Sequence, residues 1–265
     1  MKWRPKLAVM ILAVVGMASV RLRAQAEASP GVARVSLIHG EVSTERADTG
    51  DWAAATLNAP LVTGDSLSTG GASRAELQLD YANILRLGEH TEAKIADLSG
   101  SHIQVQLAQG LADYTVLSGN QADLEIDTPN VAVHPTEPGI YRVEVFSNSH
   151  ATVIVRKGNA QVSTPQGSTT VKNGELMRIE GTDNPQYQIV GAPKTDAWDQ
   201  WNNQRNHVIE DAKSYQHTNK YYTGAEDMDA YGHWVNVQGY NWCWTPYVDA
   251  GWIPYNNGRW AWEPY

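Results

Sequence analysis

A second cysteine is missing from this chain, so Cys243 has no partner for an intramolecular disulfide and the fold must rest on its core. Basic residues are also scarce. Lys and Arg number 20 against 29 Asp and Glu, a formal charge of −9, which makes nucleic acid and anionic lipid poor partners because both are held through phosphates. His-Glu-x-x-His and glycine-rich phosphate loops are absent, and Gly64-Asp65-Ser66 lacks the second glycine of a nucleophile elbow. The histidines are scattered, with His207 and His217 three helical turns apart. Acids are plentiful, but no spacing singles out a pair for glycoside cleavage. The chain reads as a non-enzyme with no catalytic residue, cofactor or metal. Glu226, Asp227 and Asp229 read as a solvated acidic loop, with a hard-cation site as the alternative. Cys243, between Trp242 and Trp244, is expected to face away from both indoles, with no base nearby to activate it.

The N-terminus speaks for export. Lys2, Arg4 and Lys6 precede an apolar run from Leu7 to Val20 that is short for a membrane span, and Ala24-Gln25-Ala26 offers a small-x-small cleavage site. Residues 1–26 are therefore expected to be a signal peptide, leaving no membrane span once cleaved. Arg21 and Arg23 keep an uncleaved signal anchor open as a second reading. Cleavage would leave 15 basic against 29 acidic residues, a formal charge of about −14.

From Val32 to Val190 the pattern is period-two alternation broken by turn residues roughly every eight to twelve positions, the mark of an all-β sandwich or β-roll. Ala75–Leu79, Ile103–Leu107, Leu124–Ile126, Tyr141–Val145 and Thr152–Val155 each present one aliphatic and one polar face. Lys157-Gly158-Asn159, Pro165-Gln166-Gly167 and Lys172-Asn173-Gly174 read as hairpin turns. A weak repeat sets Val35–Val42 beside Val153–Val162, and Val62–Leu67 beside Val171–Leu176.

Leu61-Val62-Thr63-Gly64-Asp65-Ser66-Leu67-Ser68-Thr69-Gly70, Ser73–Leu77, Ile84–Gly88 and Thr91, followed by Thr128-Pro129-Asn130, Gly139–Val143 and Val153–Gly158, resemble in order and spacing the FecR domain of bacterial envelope proteins. The resemblance covers roughly 33–180. It implies an all-β extracytoplasmic sensor or scaffold that is not an enzyme. The best-known members of the family relay signals from an outer-membrane transporter to a cytoplasmic sigma factor. Here only six residues precede the apolar run, too few for a sigma-factor-binding segment.

After residue 190 the period changes. Ala192-Pro193-Lys194 reads as a linker and Thr195, beside Asp196, as an N-cap. Trp198, Trp201, Arg205, Val208, Ala212 and Tyr215 mark one amphipathic helix of about twenty residues, expected to dock through its Trp198/Trp201 stripe. The expected organisation is 1–26 signal peptide, 32–190 FecR-like β domain, 191–223 linker and helix, and 224–265 a small aromatic module.

That module holds six of the ten tryptophans and three Trp-x-Pro-Tyr elements, Trp244–Tyr247, Trp252–Tyr255 and Trp262–Tyr265. It resembles a Trp/Tyr/Pro-rich domain of unknown function that often follows FecR-like domains in exported bacterial proteins. Six exposed indoles would form an apolar patch near ~1,000 Å², beyond the roughly 300–600 Å² of ordinary monomers, so most must pack against something. Packing within a small β unit is one reading. In the other, Trp244, Tyr247, Trp252, Tyr255, Trp262 and Tyr265 form a platform for envelope polysaccharide, peptidoglycan or an envelope protein. The function expected is that of an exported periplasmic or cell-envelope protein of a Gram-negative bacterium. The alternative is a periplasmic component of FecR-type signalling linked to an outer-membrane transporter.

Overall fold

A computed structural model describes residues 30–219, 221–253 and 256. The signal segment, the Asn256-Asn257-Gly258 turn as a whole, and Tyr255, Trp262 and Tyr265 fall outside these residues. The alternation forms β1 (Ala33–His39), β2 (Val42–Glu45), β3 (Trp52–Ala54), β4 (Pro60–Leu61), β5 (Ser66–Thr69), β6 (Arg74–Gln78), β7 (Asn83–Leu87), β8 (Glu92–Leu98) and β9 (His102–Val116). It continues as β10 (Asp123–Asp127), β11 (Ala132–Pro135), β12 (Gly139–Ser147), β13 (His150–Lys157), β14 (Asn159–Thr164), β15 (Gly167–Lys172), β16 (Glu175–Glu180) and β17 (Gln186–Gly191). The fold is all-β with short helices and a small C-terminal hairpin, as the alternation implied.

Two sheets face each other. The first runs β4-β1-β6-β7-β9-β12-β13-β16-β17 and the second β3-β2-β5-β8-β9-β10-β11-β14-β15. Strand β9 belongs to both and changes sheet at Gly110, whose φ of 90° and tight approach to the backbone of Thr91 and His90 leave no room for a side chain. Between the sheets lie Val35, Leu77, Leu85, Tyr114, Val143 and Met177 from one side and Leu67, Ile95, Val105, Ile126, Val162 and Val171 from the other. Burying each of the aliphatic side chains and Met177 is worth about 1.5–3 kcal/mol.

The internal repeat is real in topology. Pairings β1–β6, β2–β5 and β6–β7 recur as β13–β16, β14–β15 and β16–β17. Its second leg differs from the sequence comparison, because β15–β16 corresponds to β5–β6 rather than to Val62–Leu67. Lys157-Gly158-Asn159 and Lys172-Asn173-Gly174 are likewise corners at which the chain changes sheet; of the three turns only Pro165-Gln166-Gly167 belongs to a hairpin, β14–β15. A glycine with positive φ serves either kind of turn, so local chemistry did not separate them.

The outer face of the first sheet carries charge. Glu76, Arg86, Asp113 and Arg142 are directly opposite one another on β6, β7, β9 and β12, forming a row of alternating sign. Helix α1 (Ala197–Glu210) lies over this row. It starts at Asp196, not Thr195, in a capping box with Asp199, and it is 14 residues long, so Ala212 and Tyr215 lie beyond it. Its buried face is Asp199, Asn202, Asn206 and Ile209, whereas Val208 is 47% exposed and Trp198 and Trp201 are only half-buried, their rings tilted against each other at 5.0 Å with Arg74 over Trp201. The helix therefore docks mainly through polar side chains, and the Trp stripe lies at the rim.

Side chains of the helix and of neighbouring strands pair with much of the row. Arg205 forks onto Glu76 (Nε to Oε2 3.0 Å, Nη2 to Oε1 2.7 Å), Arg86 donates to Glu76 at 2.7 Å and to Asn206 at 2.6 Å, and Arg156 forks onto Asp199 at 3.2 and 2.7 Å. Arg142 bonds Asp196 at 2.7 Å. Burial alone would raise the Glu76 pKa, but hydrogen bonds and charge from Arg205 and Arg86 overcome it and hold the carboxyl down at about 2. Asp113 has the opposite fate. Burial pushes it up to about 6 against the pull of Arg86, and its Oδ2, like Arg86 Nη2 and Arg142 Nε, has no hydrogen-bond partner among the described residues.

Candidate ligand-binding cleft at the C-terminal hairpin

Beyond α1 the chain makes a 3₁₀ turn at Lys213–Gln216, another at Ala225–Asp227, the short helix α2 (Met228–Tyr231), and a hairpin of β18 (Gly232–Val237) and β19 (Asn241–Pro246). The acidic residues expected to be solvated tie this segment down. Glu226 is fully buried and accepts from Arg34 of β1 at 3.1 Å, from Tyr215 at 2.6 Å and from the Gln78 amide of β6. Asp227 takes a second Arg34 contact at 2.6 Å. Asp229 caps the first 3₁₀ turn, accepting from the Lys213 and Ser214 N–H groups at 2.5 and 3.0 Å and from the Ser214 hydroxyl. These bonds leave the three carboxylates fixing backbone and cations of the chain itself, and no cluster of three metal-ligating side chains occurs among the described residues. Desolvation and the bond to Glu226 raise the Tyr215 pKa well above its usual range.

The hairpin sorts its aromatic residues into two sets. Trp234 and Trp244 are a directly opposed cross-strand pair. Trp234 donates its indole N–H to Ser214 Oγ at 2.9 Å, and Trp244 donates to Met228 O at 3.0 Å with its ring lying on Gly232, where a Cβ would fall 2.5 Å from ring carbons. Both are half-buried and anchored. Trp242 is 50% exposed and Tyr247 63% exposed. His217 packs with tilted rings between Trp234 (4.9 Å, 37°) and Trp242 (4.4 Å, 34°), and His233 stacks on Tyr247 at 5.5 Å and 23°. Lys213, Gln216, His217, Asp229, His233, Trp234, Trp242 and Tyr247 line a cleft of about 390 Å³.

Of the residues singled out in sequence, Tyr247 lines this cleft, Trp244 is locked beneath the hairpin, and Trp252 lies in a following turn, its N–H bonded to Asp249 O at 3.1 Å. Tyr255, Trp262 and Tyr265 are outside the described residues. The repeated Trp-x-Pro-Tyr drew attention away from Trp234, Trp242, His217 and His233. Alternation on either side of Gly239 would have placed Trp234, Trp242 and Trp244 on one hairpin face, since two-residue steps keep a side. Cys243 takes the other face, near Tyr240 O at 4.0 Å. The cleft offers aromatic planes and hydrogen-bonding groups, an arrangement suited to holding a ligand.

Residues 65–161 match the family model described as FecR protein, and residues 225–265 match the one described as Family of unknown function (DUF6600). No curated protein matches the chain. Two crystal structures described as "a putative anti-sigma factor from Parabacteroides distasonis ATCC 8503" are similar to it, each at 16% identity and a TM-score of 0.42, covering 48% of this chain and 59% of that one. The chain thus spans under two thirds of the length of that protein. Among the described residues no helix is long and apolar enough to cross a membrane. Along its length the chain combines a region matching FecR protein, built into the sandwich, with a region matching DUF6600 that begins at the buried Ala225-Glu226 turn and includes the aromatic hairpin.

Proposed function

We propose that this is an exported, non-enzymatic cell-envelope protein in which the FecR-like sandwich is a rigid scaffold or sensor and the C-terminal hairpin binds an envelope component. The observation that carries the reading is the division of the hairpin aromatics. Trp234 and Trp244 are secured by their indole N–H groups, while Trp242 and Tyr247 stand exposed beside a cleft. Exposed aromatic planes on a fixed support lose little side-chain entropy on binding. The support is fixed through Arg34, Glu226 and Asp227 to the sandwich. The test is co-sedimentation of the full chain with purified envelope sacculi. Wild type should pellet and a Trp242→Ala/Tyr247→Ala variant should stay in the supernatant with its melting temperature within a few degrees. Equal retention of both would refute the assignment.

A second reading, a periplasmic component of FecR-type signalling, is favoured by the match of residues 65–161 to FecR protein. A sigma-factor gene and an outer-membrane transporter gene beside this one would support it.

A further inference from the structure

We infer that the cleft between the Lys213–Gln216 turn and the hairpin is a site for a neutral pyranose oligosaccharide, with Trp242 and Tyr247 as its stacking planes and Lys213 and Gln216 as its hydrogen-bonding rim. The inference rests on the reading of the hairpin as an envelope-binding element and gives that reading a ligand class. A pyranose ring has one flat C–H face bordered by hydroxyls. It is held by an exposed aromatic plane that does not move, with donors and acceptors at its edge.

The cleft supplies each part. Trp242 rests against His217, His217 against Trp234, and the Trp234 indole is bonded to Ser214, whose own hydroxyl and N–H are held by Asp229. Trp242 is thereby fixed in place while half its surface remains open. On the other side Tyr247 is stacked against His233, with its own face largely exposed. Lys213 and Gln216 are exposed at the edge, carrying an ammonium and an amide.

Other ligand classes fit less well. A phosphorylated or sulfated ligand would meet one lysine beside Asp229 on a chain of formal charge −9. A hard cation would need Asp229, which three donors already engage. An acyl chain requires enclosed apolar walls, whereas this cleft is edged by Lys213, Gln216 and Asp229. An extended proline-rich peptide also stacks on aromatic residues, and competition against the sugar separates the two.

The test is titration of the full chain with chitotetraose and with cellotetraose, read by tryptophan fluorescence and calorimetry. At least one sugar should bind saturably with a shift in indole emission. Trp242→Ala and Tyr247→Ala should each weaken binding by roughly tenfold or more, while Trp242→Phe, which keeps a plane, should recover part of it. The result that overturns the proposal is absence of binding to either sugar, undiminished binding by the alanine variants, or displacement of the sugar by a proline-rich peptide that binds more tightly. Retention on sacculi without oligosaccharide binding would overturn this ligand class and leave the envelope-binding reading in place. Loss of both would remove both.

Discussion

Asp113 occupies the centre of a row of charges, with Arg86 and Arg142 opposite it on neighbouring strands and Asp199 of α1 above. Its folded pKa, about 6, lies above the ordinary 3.8, so the ionised form is disfavoured in the folded protein. Above pH 6 the group therefore subtracts from stability, and the loss is recovered as pH falls from about 7 to about 4. Glu76 has the opposite sign, its pKa being lowered from 4.5 to about 2, so its contribution is complete above 4.5 and disappears only as pH drops toward 2. Asp113→Asn should raise stability at pH 7 by on the order of 2 kcal/mol and flatten the melting temperature between pH 7 and 5. A wild-type melting temperature that falls steadily over that interval would contradict the assignment. Glu76→Ala should cost about 3–5 kcal/mol in urea unfolding, because the fully buried Arg86 loses its only carboxylate contact within salt-bridge distance among the described residues. Little of this was legible in sequence. Alternation identifies Glu76, Arg86, Asp113 and Arg142 as residues of a polar face, but only the tertiary fold shows that a helix covers that face.

At the scale of elements, strands were the legible part, since a period of two with β-branched residues survives any topology. Helix α1 was expected in this region, but it is 14 residues rather than about twenty, is capped by Asp196 rather than Thr195, and docks by another face. Trp198 and Trp201 are the most apolar side chains on it, and an apolar stripe is the usual buried face; here Asp199, Asn202 and Arg205 match charges already aligned on β6, β7 and β13. An interface of this kind leaves little apolar surface when it is removed. A fragment of residues 30–191 should therefore stay soluble, β-rich by circular dichroism and cooperative in melting, because the main apolar cluster lies between the two sheets. A disordered fragment would show that α1 and the tail are needed for folding. In the hairpin the contrast lies between neighbours two residues apart. Trp244→Ala should destabilise the tail, since it opens a gap over Gly232 and removes the indole bond to Met228 O, whereas Trp242→Ala should change its stability little. Limited proteolysis of the tail distinguishes the two.

For the whole molecule, polar contacts join the tail to the sandwich beside an edge-on contact of Tyr221 with Tyr81 at 4.6 Å. Arg34 bridges β1 to Glu226 and Asp227, Gln78 reaches Glu226 from β6, and Tyr215 completes the set next to Ser214, which holds Trp234. A continuous series of contacts thus links the first sheet to the wall of the cleft. Arg34→Ala should loosen the tail, seen as faster amide exchange over residues 213–247, while exchange within the two sheets stays slow. The most direct measurement is hydrogen exchange of the full chain with and without solubilised envelope glycan. Protection gained at residues 213–217, 229–234 and 242–247, with the sheets unchanged, is the result expected of a binding hairpin on a rigid FecR-like scaffold. Protection confined to the sandwich, or none in the hairpin at saturating glycan, would contradict it.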